Sequence, residues 1–241
     1  PVIPIRDDNH THGTAVVTIG VIVACVLVWL WQLSLGTPGG DLAAVGLGMI
    51  PTRLINGEVL PPEITPQVTA TATLFTSMFM HGDWMHIAGN MLYLWIFGNN
   101  VEDAMGRWRF IAFYALAGVL AALAQAAIDP DSVVPMIGAS GAISGVLGGY
   151  LLLYPRARVV MLLPIIIVWT TFRLPAALVL IGWFLLQLVS YKAGGEGVAW
   201  MAHIGGFIAG MALVPFFKRK DVPLWGHANA ALVRNSGYRE F

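Results

Sequence analysis

The chain has 241 residues, 57% of them hydrophobic and only 11% charged, with thirteen basic and thirteen acidic side chains cancelling to zero net charge. A mean hydropathy of +0.74, and a charged fraction well under the ~25% usual in soluble domains, exclude an ordinary soluble protein and identify an integral membrane protein. The absence of net positive charge argues against a nucleic-acid partner, and the single Cys25 excludes a disulfide framework.

In chain order, residues 1–12 form a polar arm in which Asp7 and Asp8 follow Arg6, without the basic character of a secretory leader. Gly13 to Leu35 carries no formal charge and exceeds the roughly 20 residues a helix needs to cross a bilayer, giving span one. Gly36 to Gly82 is a long connection broken by Pro38, Pro51, Pro61, Pro62 and Pro66, expected to be a partly ordered loop in the membrane interface. Span two is expected from Asp83, as N-cap, to Asn100, with His86 and Asn90 one turn apart on one face.

Gly106 to Arg109 closes the following turn, and Phe110 to Ile128 makes span three. Span four runs from Pro135 to Tyr154, which places Ser140 near its start. Val159 to Phe172 is apolar but short, contains Pro164, and reads as an interfacial or re-entrant piece rather than a span. Leu174 to Tyr191 is span five and Gly197 to Phe217 span six, with a polar tail over residues 218–241. The expected fold class is an all-α membrane protein, a six-transmembrane-helix bundle over residues 13–217. This layout puts eleven of the thirteen Lys and Arg on one side, leaving only Arg53 and Lys192 opposite. By the positive-inside rule both termini are then cytoplasmic, in a cell membrane such as a bacterial inner or plasma membrane.

Spans two, four and six then start on the outer face, and each carries polar residues near that start: His86 with Asn90, Ser140, and His203. The small residues of Gly138 to Gly149 and of Ala202 to Gly210 would let helices four and six pack closely, bringing Ser140 to His203. A serine becomes nucleophilic when a base takes its proton, and His203 is that base. The Ser140 N–H with the side chains of His86 and Asn90 would supply donors to a developing oxyanion. No embedded acid is available to either histidine, so a Ser-His dyad is expected. Ser144 reads as part of the packing face, and no Cys or well-placed carboxylate completes a metal shell around the histidines except Asp83.

These residues resemble the signature of the rhomboid intramembrane serine proteases: Gly138-Ala139-Ser140-Gly141, His81 with His86 and Asn90, and Ala202-His203-Ile204-Gly205-Gly206. Glu102, Gly106 and Arg107 resemble the family's Glu-x-x-x-Gly stretch, read as structural. The resemblance implies a rhomboid-like bundle, a multi-pass protease that cleaves transmembrane proteins in or beside their membrane segments, and no cofactor. It implies Ser140 as nucleophile, His203 as general base and acid, His86 and Asn90 as oxyanion donors, and His81, Gly138 and Gly141 as supports of the site. Two departures stand out. The first loop lacks the Trp-Arg pair of many members, and the aromatic residue often found four positions after the nucleophile is Ser144 here, so the ring of His203 must be held by another group. A non-catalytic rhomboid-like protein that binds or escorts membrane clients is the alternative, but it would not need both Ser140 and His203. The Gly194 to Gly197 loop is expected to act as a flexible cap over the site.

Overall fold

A computed structural model of the chain describes residues 2–11, 13–60, 68–165, 168–194 and 197–226. Its frame is helical because the sequence supplies long uncharged runs. Helices α1 (Val16–Ser34), α7 (Arg107–Ile128) and α10 (Trp200–Phe217) are each long and apolar enough to cross a membrane. The connection after α1 holds α2 (Gly36–Leu47), α3 (Pro51–Ile55), α4 (Thr73–Thr76) and a short 3-10 turn over Ser77–Phe79. Residues 61–67 of that connection, with three of its prolines, lie outside the described residues.

Asp83 caps the next helix as its residue type suggests: its carboxylate accepts the His86 N–H at 2.8 Å. From there α5 (Trp84–Tyr93) continues through a π-helical turn, Leu94–Gly98, into α6 (Asn99–Met105). This run passes the expected end at Asn100 and stops at Gly106, where φ is 82° and a side chain would be strained. Helix α7 consequently begins at Arg107 rather than Phe110. The buried Glu102 of α6 accepts from the Val17 and Thr18 backbone N–H groups at 2.9 and 2.7 Å and from the Thr18 hydroxyl at 2.8 Å. A carboxylate from one helix thus satisfies the unpaired donors at the N-terminus of another.

Helices α8 (Ser140–Leu153) and α9 (Ala176–Lys192) are shorter apolar helices. Small residues govern how α8 packs. A methyl group at Gly206 would overlap the Gly141 carbonyl, one at Gly210 the Gly145 carbonyl, and one at Gly148 the Phe207 carbonyl. Only glycine at these places lets the backbones of α8 and α10 touch. Helix α7 closes the other side, its Ala121 Cβ 2.8 Å from where a Gly141 methyl would sit. Ser144 is buried here and donates to the Ser140 carbonyl at 2.6 Å, the usual back-bond of a helical serine.

The expected all-α class needs one correction. The segment read as re-entrant or interfacial, Val159 to Phe172, is a β-hairpin, β2 (Arg158–Ile165) with β3 (Val168–Pro175), and the polar arm adds strand β1 (Ile3–Asp7). The antiparallel order is β1-β2-β3, with Ile3 opposite Leu162, Asp7 opposite Val159, and Met161 opposite Phe172. Val159, Val160, Thr170 and Thr171 are β-branched and suit this pairing. Asp7 ties the sheet to the helices by accepting from the Tyr150 hydroxyl at 2.5 Å and from the Asn100 side-chain amide at 2.8 Å. The segment after α10 reaches the same end: Arg219 N–H donates to the Ala104 carbonyl at 2.9 Å and Trp225 N–H to the Leu152 carbonyl at 2.7 Å. The arm, the hairpin and the start of the tail therefore share one end of the bundle.

Candidate active site

At the opposite end, α8 starts at Ser140 rather than at Pro135. The preceding residues are drawn out as a loop, with Met136 bridged to Met49 and the Gly138 N–H donating to the Ser77 carbonyl at 2.8 Å. Gly138 has φ of 119°, a conformation essentially closed to other residues, and a Cβ there would lie 2.5 Å from His86 Nε2. Ser140 is thereby set on the first turn of α8, where backbone N–H groups have no partner within their own helix and the helix dipole favours negative charge.

The close contact of α8 and α10 has a direct chemical result. His203 Nε2 lies 2.8 Å from Ser140 Oγ, across 63 residues of sequence. The imidazole is gripped at its other nitrogen, because His203 Nδ1 lies 2.8 Å from Gln187 Oε1 on α9. Two indole rings flank it: Trp183 with ring centroids 6.0 Å apart, and Trp200 edge-on at 6.1 Å. Sequence reasoning missed Gln187, Trp183 and Trp200. The group that meets His203 Nδ1 is an amide rather than an acid, and Gln187 is the only polar side chain from Leu174 to Val189. The absent aromatic at position 144 is offset by rings that arrive from α9 and from the first turn of α10.

Helix α5 brings His86 and Asn90 to the same space. His86 Nδ1 accepts the Gly82 N–H at 3.4 Å, which in the neutral ring leaves the proton on Nε2, the nitrogen facing Gly138. Asn90 is buried and its Nδ2 has no hydrogen-bond partner among the described residues. A buried donor of this kind is costly unless a ligand satisfies it. His81 stands one layer behind: fully buried, edge-on to His86 at 5.1 Å, with its backbone N–H and carbonyl both held by the Gln32 side chain at 3.0 Å. His81 is not among the residues lining the cavity that holds Ser140, and Gly141 packs against α7 and α10.

Ser140, His203, His86, Asn90, Gln187 and both tryptophans line one cavity of about 570 Å³, within the range of ligand-binding clefts. Gly197, Val198 and Ala199 form part of its rim. Gly195 and Glu196 of the expected cap lie outside the described residues. The groups present can activate a hydroxyl and offer N–H donors to an oxyanion, which is the equipment of acyl transfer.

Residues 69–220 match the rhomboid domain family. The chain is 31% identical over 185 residues to the yeast (Saccharomyces cerevisiae) protein named Rhomboid protein 1, mitochondrial, covering 72% of this chain and 49% of that one. It is 25% identical over 154 residues to Rhomboid-like protease 3 of Toxoplasma gondii, covering 62% and 54%. It is 26% identical over 150 residues to the mouse (Mus musculus) Presenilin-associated rhomboid-like protein, mitochondrial, covering 59% and 37%. The chain thus spans about half the length, or less, of these relatives. With the family domain covering well over half of the chain, and its helices fitted to a membrane, this protein is a member of the rhomboid family.

Proposed function

We propose that this protein is an intramembrane serine endopeptidase that cleaves transmembrane proteins in or beside their membrane segments. The observation that carries the reading is the 2.8 Å contact between Ser140 Oγ and His203 Nε2 inside a cavity that also holds a buried amide donor, Asn90 Nδ2, with no partner among the described residues. His203 accepts the Ser140 proton as Oγ attacks the substrate carbonyl carbon. Negative charge moves to the carbonyl oxygen, where the Ser140 N–H, His86 Nε2 and Asn90 Nδ2 donate to it. His203 then protonates the departing amine, and a water deprotonated by the same imidazole hydrolyses the acyl-enzyme.

In this reading six helical segments cross the bilayer: α1, the α5–α6 run, α7, α8, α9 and α10. The arm, the hairpin and the tail face the cytoplasm and the catalytic cavity opens toward the outer face. The convergence of the arm, hairpin and start of the tail at one end supports an even number of crossings. A peptide bond within an intact helix is shielded by its own hydrogen bonds, so substrates with unwound, small-residue segments are favoured. The test is cleavage of a reporter transmembrane protein in reconstituted vesicles. Wild type is expected to cleave, Ser140→Ala and His203→Ala not to, and Asn90→Ala to lose roughly 100- to 1000-fold as one oxyanion donor is removed. Equal cleavage by wild type and both dyad variants would refute the assignment.

A further inference from the structure

Helix α9 exposes most of its large apolar side chains, among them Leu178, Ile181, Leu185, Leu186 and Val189. Gln187 is the exception, 5% exposed and turned inward. Burying a primary amide costs free energy unless both its ends are bonded, and here both are. Its Nε2 donates to the Trp183 carbonyl at 3.3 Å, and its Oε1 faces His203 Nδ1 at 2.8 Å.

The carbonyl decides which way the amide points. A backbone carbonyl only accepts, so the NH2 end must face Trp183 and the oxygen must face the imidazole. An oxygen facing Nδ1 requires the proton on Nδ1. The neutral ring then keeps its lone pair on Nε2, and that nitrogen accepts the Ser140 hydroxyl proton. The opposite tautomer would direct an N–H at Ser140 Oγ and could take no proton from it. A backbone carbonyl on α9 therefore sets the protonation pattern of the dyad through one side chain.

We propose that Gln187 is a positioning residue for His203, fixing its tautomer and orientation so that α9 completes a site whose nucleophile and base lie on α8 and α10. This rests on the serine-protease reading of Ser140 and His203. Trp183 and Gln187 stand one turn apart on α9, so the same face presents a ring beside the imidazole and an acceptor to its edge. The bond is short-range. Outward displacement of α9 by about 1 Å carries it past hydrogen-bonding distance, so the imidazole is fully oriented only while α9 is seated.

The experiment compares wild type, Gln187→Met and Gln187→Glu in reconstituted vesicles, by reporter cleavage across pH and by labelling of Ser140 with a fluorophosphonate. Q187M removes the acceptor and keeps the volume. Its kcat is expected to fall roughly 10- to 100-fold with KM within about twofold, a part of what general-base catalysis contributes. Q187E restores an acceptor that is negatively charged; it retains cleavage, and the acid limb of its pH–rate profile moves to higher pH because the carboxylate favours the imidazolium. A Q187M with wild-type kcat and pH profile overturns the proposal, as does a Q187E that falls as far as Q187M. Should Q187M fail to fold, the position of the acid limb in Q187E decides alone, an unmoved limb overturning the role. Loss of the protease reading is seen separately, in a wild-type protein that neither cleaves nor is labelled at Ser140; that result overturns both.

Discussion

Glu102→Gln tests how far the fold depends on one carboxylate closing the start of α1. The carboxylate receives three hydrogen bonds, one on Oε1 from Val17 N–H and two on Oε2 from Thr18. Glutamine can keep its oxygen on the Thr18 pair, where each bond passes from charge-assisted to neutral and loses about 1 kcal/mol. Its NH2 then faces the Val17 N–H, donor against donor, leaving a buried donor unsatisfied at a cost of about 1–3 kcal/mol. The sum is roughly 3–5 kcal/mol, a large fraction of ordinary domain stability. Unfolding in detergent micelles followed by circular dichroism reads the change. A cycle with Thr18→Val separates the contact from general damage: the threonine substitution should cost less in the glutamine background, by more than about 0.5 kcal/mol. A Glu102→Gln protein within 1 kcal/mol of wild type, or strict additivity with Thr18→Val, would refute the reasoning.

Burial raises the Asp7 carboxyl from its ordinary 3.8 to about 6, with Asp8 pushing the same way and the Tyr150 hydrogen bond and His10 opposing. The folded arm therefore holds a proton that the unfolded arm releases, so docking of β1 weakens as pH rises from about 4 to 6, by up to roughly 3 kcal/mol. Asp7→Asn keeps a neutral acceptor and should abolish that slope; hydrogen exchange of residues 3–7 across this range measures it, and protection that grows with pH would contradict the assignment. Gly210→Ala should separate α8 from α10 and destabilise by more than about 3 kcal/mol through overpacking against backbone. Gly182→Ala on α9, where a Cβ meets nothing within 4 Å, should be neutral or stabilise by up to about 1 kcal/mol; equal unfolding midpoints for the two variants would sink the packing argument.

What was legible in the sequence was what local chemistry alone decides. Uninterrupted apolar runs mark α1, α7 and α10, and Asp83 marks the start of α5, since an N-cap is a contact over three residues. The β-hairpin was not legible. Val159 to Phe172 is too short for periodicity to separate strand from helix, and β2 is paired with an arm more than 150 residues away, whose alternation is only five residues long. The true start of α8 was hidden for a related reason. Nothing local stops a helix beginning at Pro135; the loop is held open by Met49 and by Ser77, both distant in sequence. Ser140, His203, His86 and Asn90 were found as a set because their spacing along three helices places them at one level. Gln187 belongs to that level as well, but a lone amide among leucines marks an inward face without naming the ring it meets.

The glycines of α8 and α10 and the Ser140–His203 pair lie in the same short stretches because one distance serves both. Ser140 and His203 each lie within a turn of a point where backbone meets backbone, at Gly141 with Gly206. Short side chains leave a serine hydroxyl and an imidazole few ångströms to bridge, and the 2.8 Å contact is reached only because the axes are this close. A residue with a Cβ at Gly206 would move the axes apart, and would open the dyad even where the bundle survived it. The third helix has no such constraint. Helix α9 reaches the site through long side chains, Trp183 and Gln187, and most of its remaining large apolar residues face outward. Ser140 and His203 are therefore locked by packed backbone, while Gln187, which meets the imidazole at Nδ1, rides on the least buried of the three helices. The Ser140–His203 distance therefore follows the packing of α8 on α10, while the orientation of the His203 ring also depends on the seating of α9.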